Sequence, residues 1–201
     1  PNIRMLISSI GIHTKKVVSV RNDPQKEYGN GLKGLVSKAV FLLADGCVFQ
    51  TDDARLFFFK ETQKKSTIIL NPVNEKFFNH CWSASGTDIV LIGRLQEQKN
   101  PILALKAFIS ISEQYPNHRL VFYGDEELST TILSIANTYG VSDRVIVFGK
   151  TSNVEKVLEN AAIYILSSDY EGMPNALMEA MTVGVPVIST NCPCGGPRML
   201  I

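Results

Sequence analysis

Short runs of β-branched and apolar residues alternate along this chain with stretches whose apolar positions recur at helical spacing. The runs are VVSV (17–20), CVF (47–49), TIIL (67–70), IVLI (89–92), RLVFY (119–123), VIVF (145–148), IYIL (163–166) and PVIS (186–189), and each has the length and composition of a strand. Between the first two, Leu32, Leu35, Val36, Ala39, Val40 and Leu43 keep the helical period, which predicts a helix packing that stripe on a sheet. Asn100 followed by Pro101 reads as a cap with proline at the first helical position. Ser152 and Glu155 have capping-box spacing, and Pro174 is placed to start a helix. Strand, helix and strand in this rhythm imply right-handed crossovers and parallel sheets covered on both faces. The expected fold is doubly wound α/β.

Composition supports a packed core and excludes several classes. The chain has 201 residues, 45% hydrophobic and 19% charged, so disorder and fibrous repeats are excluded. At about 100–200 residues per domain, this is one large domain or parts of two. The formal charge is +1, which does not mark a nucleic-acid binder. Its distribution is uneven: residues 1–70 hold eleven Lys/Arg and six Asp/Glu, while residues 71–201 hold nine and thirteen. A basic first half suits an anionic ligand or a membrane surface. NPVNEK (71–76) lies after a strand where the balance changes sign, which makes it the expected linker.

Cys47, Cys81, Cys192 and Cys194 form no C-x-x-C pair, so reduced thiols in a cytoplasmic protein are expected rather than a zinc site. Runs such as AVFLLA (39–44) fall short of the roughly 18 residues of a spanning helix, and no signal peptide is expected. The chain opens at Pro1 and stops at Ile201 in mid-pattern, as a fragment of a longer protein does.

Ligands of doubly wound sheets sit beyond the carboxyl ends of the strands. That rule selects RNDP (21–24), GRLQEQKN (93–100), GDEE (124–127) and SSDYEGMPN (167–175). In the last loop Glu171 and Gly172 precede the helix at Pro174, and Glu179 falls on its second turn. A helix start offers free N–H groups and the positive end of a dipole to a phosphate, and Gly172 allows a close approach to the backbone. Arg94 and Lys99, in the loop after IVLI, bring a guanidinium and an ammonium able to chelate a diphosphate. Either pair alone also reads as solvated charge; their joint placement after strands points to one anion site.

The pairing of GRLxxxKN with EGMPNALMEAMTVGVPVIST resembles the donor half of the retaining family-four glycosyltransferases, whose signature is Glu, seven residues, Glu, as in Glu171 to Glu179. The similarity runs from VVSVRNDP through ADGCVFQT, YGDEE and DRVIVFGK to CPCGGPRML. The resemblance implies two Rossmann-like domains facing each other across a cleft. Residues 1–72 would be the end of an acceptor domain, and residues 73–201 a donor domain for a nucleotide sugar. It implies that Arg94 and Lys99 hold the diphosphate, Glu171 the sugar hydroxyls and Glu179 the ribose hydroxyls. Gly93 would belong to the first of these loops. The backbone of Gly172, Met173, Pro174, Asn175, Ala176 and Leu177 would contact sugar and phosphate. The loop FGK (148–150), with Gly149, would lie near the base.

Arg94, Lys99 and Glu171 would then carry catalysis without a metal or a separate cofactor, with a UDP-sugar as the default donor. The acceptor would be a saccharide or lipid-linked saccharide in capsule or lipopolysaccharide synthesis, handled in the cytoplasm at the inner face of the membrane. The basic helix over residues 32–43 would be the candidate membrane contact, although sheet packing is its first expected use.

Two positions depart from that pattern. Glu126 stands where many relatives have a second glycine. Arg21 stands where many have a histidine, either to hold an acceptor phosphate or as a salt-bridged loop residue. His13, His80 and His118 are expected at the surface or core edge, Phe57 to Phe59 in core packing, and CPCGGP (192–197) as a connector. Two other functions remain open on the sequence: a glycoside hydrolase using the Glu pair, which needs carboxylates about 5–9.5 Å apart across a sugar, and a non-catalytic sugar-nucleotide-binding module.

Overall fold

A computed structural model describes residues 1–125 and 127–201. The chain divides into two compact units, one made of Pro1–Pro72, Tyr170–Met173 and Asn191–Ile201, the other of Val73–Asp169 and Pro174–Thr190. The first boundary falls inside the NPVNEK stretch. Two later segments, including the one that carries Glu171, belong to the first unit.

The first unit opens with α1 (Asn2–Ser8), β1 (Val17–Val20), α2 (Pro24–Tyr28) and α3 (Gly31–Phe41). It continues with β2 (Gly46–Phe49), α4 (Asp52–Leu56), α5 (Lys60–Lys64) and β3 (Ser66–Ile68). The strands form a parallel sheet in the order β1-β2-β3. Its core joins Leu6, Val18, Val20 and Phe49 to an aromatic group of Tyr28, Phe41 and Phe58, with the Tyr28 and Phe41 rings edge to face at 5.1 Å. Phe58 is thus core, as its run suggested.

The apolar stripe of α3 points the other way from expectation. Gly34, Ser37 and Phe41 are its buried residues, while Leu32 is 78%, Leu35 52% and Val36 56% exposed. Close packing decides this: a Cβ on Gly34 would stand 2.5 Å from the Gly29 carbonyl oxygen, and the Ser37 hydroxyl donates to Lys33 O at 2.9 Å. At 34 and 37 only small residues fit, Phe41 being the large side chain of the buried three, and Leu32, Leu35 and Val36 turn outward.

The second unit contains β4 (Asp88–Ile92), α6 (Pro101–Ile111), β5 (Arg119–Tyr123), α7 (Ser129–Thr138) and β6 (Val145–Gly149). It ends with α8 (Val154–Glu159), β7 (Ala161–Leu166), α9 (Asn175–Val183) and β8 (Val187–Ser189). A last helix, α10 (Gly196–Leu200), belongs to the first unit, so CPCGGP leads into a helix as well as connecting. All neighbours in the five-stranded sheet are parallel, in the order β6-β5-β4-β7-β8. Ile89, Leu91, Leu120 and Phe122 pack on one face against Leu105 and Phe108 of α6 and Ile132 and Ala136 of α7, while α8 and α9 lie against β7. This is the expected doubly wound α/β architecture. From β4 the chain winds outward to β5 and β6, then returns to β7 on the other side, so the switch point lies between β4 and β7.

Local signals were mixed. Asn100 caps α6, accepting from Leu103 N–H at 3.1 Å. The capping box is absent: α8 has Asn153 at its cap with no side-chain bond, and the Thr151 hydroxyl accepts from Asn153 N–H at 3.2 Å instead. Among the described residues no disulfide joins Cys47, Cys81, Cys192 or Cys194. Among the described residues no helix is long and apolar enough to cross a membrane.

Candidate functional site

In the second unit, three strands end in glycine-containing turns that bring their backbones together. Gly93 N–H donates to Tyr123 O and Gly124 N–H to Gly149 O, both at 2.9 Å. The approach is closest at Gly124, where a Cβ would lie 1.7 Å from the Gly93 carbonyl oxygen; no residue with a side chain fits there. Beyond these ends opens a cavity of about 280 Å³ lined by Gly93, Arg94, Tyr123, Gly124, Asp125, Lys150, Thr151 and Val154. Lys150 and Asp125 form an ion pair of 2.6 Å in its wall. Glu126, the departure noted in the sequence, lies outside the described residues.

Lys99 reaches this place from the end of a short 3₁₀ turn. Its side chain runs along Gly93: a Cβ there would meet Cε at 3.4 Å and Nζ at 4.0 Å. Lys99 thus lies against Gly93, which together with Arg94 lines the cavity.

The loop that carries Lys99 is stitched to the end of β7 across the switch point. The buried Ser167 hydroxyl lies 2.9 Å from both Lys99 O and Asn100 O. Asp169 N–H donates to Gln98 O at 2.9 Å, and Asn100 Nδ2 donates to Asp169 Oδ1 at 2.8 Å. Asn100 holds a left-handed conformation with φ of 44° while capping α6, so one residue ends the loop, starts the helix and binds the neighbouring strand. Of these three roles only the cap is legible in the sequence.

Helix α9 begins at Asn175 with Pro174 as its N-cap, so Pro174 precedes the helix rather than opening it. Pro174 and Leu177 are buried, Ala176 is half-buried and Asn175 is exposed. The first-turn N–H groups have no acceptor within the helix. Glu179, on the second turn, is half-buried, and burial holds its carboxyl above the usual glutamate range, Lys76 opposing and Glu155 adding to the shift. Lys76 Nζ sits 2.7 Å from Glu155 Oε2 and pulls that carboxyl below its ordinary range. The sequence does not link either to Glu179: Lys76 lies in the linker, and Glu155 has the spacing of a capping box. His80 faces Glu159 at 2.8 Å.

Glu171, Gly172 and Met173 belong to the first unit. Glu171 is 6% exposed; its N–H donates to Pro193 O at 2.6 Å and its carbonyl accepts from Cys194 N–H at 3.1 Å. The reason for glycine at 172 differs from expectation. A Cβ there would stand 2.3 Å from Arg21 O, so the position admits a neighbouring strand end rather than a ligand. Met173 N–H donates to Gln50 Oε1 at 3.3 Å, which commits an amide expected to face the donor. Arg21 is held by an amide rather than a carboxylate: its Nη2 donates to Asn71 Oδ1 at 2.7 Å. Elsewhere in this unit Arg198 pairs with Asp53 at 2.6 Å, and burial pushes the Cys194 thiol up to about 11. Among the described residues no group of three His, Cys, Asp or Glu side chains gathers to hold a metal ion.

Comparison with known proteins bears on these loops. The family model described as "Glycosyl transferases group 1" matches residues 73–201. An uncharacterised glycosyltransferase of Methanocaldococcus jannaschii is 30% identical over 214 residues, covering 97% of this chain and 52% of that protein. A UDP-Gal:α-D-GlcNAc-diphosphoundecaprenol α-1,3-galactosyltransferase of Escherichia coli is 30% identical over 104 residues, covering 50% of this chain and 27% of that protein. The crystal structure of Anabaena HepE in complex with UDP and glucose superposes with a TM-score of 0.84 at 14% identity, covering 100% of this chain and 58% of that one. The chain spans about half the length of the most fully matched curated relatives.

Proposed function

Because the chain belongs to the group 1 glycosyl transferases, we propose that it supplies the nucleotide-sugar site of a retaining transferase. The enzyme moves a hexose or N-acetylhexosamine from a UDP-sugar to a saccharide or lipid-linked saccharide during cell-surface polysaccharide synthesis. The observation that carries this reading is the placement of Lys99 along Gly93, with Gly93 and Arg94 lining the cavity at the ends of β4, β5 and β6. Two cations at the carboxyl ends of parallel strands suit a diphosphate. The complexes and activity named for the Anabaena and E. coli proteins support the choice of UDP and of a lipid-linked acceptor.

Cleavage of a sugar–phosphate bond leaves negative charge on the departing diphosphate and positive charge at the anomeric carbon. Arg94 and Lys99 meet the first, so the leaving group is stabilised by side chains with no metal required. Preorganised charge of this kind is worth on the order of 3 kcal/mol of barrier per donor. Glu171 holds sugar hydroxyls, and Glu179, ionised, accepts from the ribose hydroxyls. Residues near Lys150 meet the base.

Titration with UDP by calorimetry tests this reading. Binding that Arg94→Ala and Lys99→Ala each weaken by about tenfold or more supports it. Binding of free monosaccharides without UDP favours a hydrolase instead, and UDP binding without turnover in the protein at its natural length favours a non-catalytic module.

A membrane-facing role belongs to the same proposal. Leu32, Leu35 and Val36 are exposed on α3 with Lys33 among them. An outward apolar stripe with a cation beside it suits the inner leaflet, where each basic residue near anionic lipid adds about 1 kcal/mol.

A further inference from the structure

Neither Gln50 nor Asn71 has a part in the proposed donor site, and the sequence leaves Arg21 two alternatives. In the first unit these three residues, from the ends of β1, β2 and β3, form one connected set of hydrogen bonds around a single peptide unit. Gln50 follows β2 and is 3% exposed. Its Oε1 accepts from Met173 N–H at 3.3 Å, and its Nε2 donates to Asn71 Oδ1. Asn71 Nδ2 donates to Met173 O at 3.3 Å, while Asn71 Oδ1 also accepts from Arg21 Nη2 at 2.7 Å. Both polar groups of the Met173 backbone are thus held by amide side chains. The orientation of Asn71 follows from its partners: two donors converge on one atom, which must be the oxygen.

Next along the chain, Gly172 rests on the Arg21 carbonyl so closely that a Cβ would come within 2.3 Å of it and 3.1 Å of Gln50 Oε1. On the far side, Glu171 exchanges two backbone bonds with Pro193 and Cys194. The segment is therefore gripped on both sides of Gly172.

We infer that Gln50 and Asn71 are positioning residues for transfer: by binding the N–H and C=O of Met173 they fix the backbone that presents Glu171, and Arg21 serves as the outer anchor of Asn71. The inference rests on the proposed sugar-binding role of Glu171. It gives Arg21 a structural partner in place of the acceptor-phosphate role weighed for it. It also fits an amide at 50, since Met173 requires an acceptor where Asn71 requires a donor, and a primary amide offers the two on separate atoms without charge.

Two readouts separate this inference from the function it rests on. In Gln50→Met, which keeps length and apolar volume but lacks the amide, the Met173 amide exchanges with solvent about tenfold faster or more by NMR, while the amides of Val18, Val20 and Phe49 keep their rates. In Asn71→Asp, which retains the acceptor for Arg21 and Gln50 but loses the donor to Met173 O, Met173 exchange rises less than in Gln50→Met, because Gln50 still holds the Met173 N–H. With UDP-glucose as donor probe, Gln50→Met lowers kcat by about tenfold with KM and UDP affinity unchanged. Unchanged Met173 exchange in Gln50→Met, or kcat equal to that of the parent, overturns the inference. Absence of UDP binding by the parent protein overturns the donor-site proposal alone, because the exchange experiment still decides the clamp. Should Gln50→Met not fold, Asn71→Ala carries the same exchange measurement, with the same faster rate at Met173 expected and an unchanged rate overturning the inference.

Discussion

Gly124 and Gly172 are places where one absent methyl group decides the local structure. At Gly124 a Cβ would fall 1.7 Å from the Gly93 carbonyl oxygen, so Gly124→Ala must push the ends of β4 and β5 apart. The expected outcome is a loss of about 2 kcal/mol or more of stability, read as a lower denaturation midpoint, together with loss of UDP binding. Glu179 titrates in a way that is open to measurement. Its carboxyl lies above the usual glutamate range through burial, so the folded protein binds that proton more tightly than the unfolded chain does. Its contribution to stability therefore falls as pH rises from the ordinary glutamate value through its own raised one, and returns on acidification. Ribose binding follows the opposite course, since it needs the ionised form. Between about pH 7 and about pH 5, affinity for UDP-glucose should fall in the parent protein, while Glu179→Gln shows weaker binding with a flatter profile. Equal profiles by calorimetry would remove Glu179 from the site. At this scale the sequence marked Arg94, Lys99, Glu171 and Glu179 by residue type and loop, but it could not mark Lys76 or Gln50, whose importance comes from neighbours distant along the chain.

At the scale of elements, all eight apolar runs became strands, because β-branched composition and short length are local properties. Helix ends were less legible. Asn100 caps α6 as read, yet it also adopts a left-handed backbone and binds Asp169. Asn100→Ala should cost about 1 kcal/mol for the cap alone, with more lost through the backbone strain. Asn100→Gly, which tolerates the left-handed backbone, should be the milder change. Urea midpoints order the two, and equal midpoints would show that the loss of the cap and of the Asp169 bond, common to both variants, outweighs the backbone strain. In α3 the hydrophobic period was real but its direction was misjudged, since periodicity finds a face without saying which way it looks. Replacing Leu35 and Val36 by Glu should leave thermal stability nearly unchanged, because both are exposed. The same change should abolish cosedimentation with vesicles containing phosphatidylglycerol; undiminished sedimentation would dismiss the lipid contact.

For the whole molecule, the sequence by itself determined the α/β alternation, the charge step near residue 71 and the loops that hold the cations, because composition, period and the carboxyl-end rule act over short stretches. The charge step argues that vesicle binding by the basic first half weakens with added salt, which cosedimentation across a salt series checks. The likeness of GRLxxxKN and EGMPN to a family carried the function further than any single residue did. What only the tertiary structure decided was membership and packing. Residues 170–173 interrupt the second unit in sequence and 191–201 follow it, yet both join the first unit, and Gly172 faces the Arg21 carbonyl. Met173 gives its amide to Gln50, and α3 turns its small residues inward. These outcomes depend on which surfaces meet at close range and on where each buried polar group finds a partner. That is a property of pairs distant along the chain, which a one-dimensional pattern does not contain.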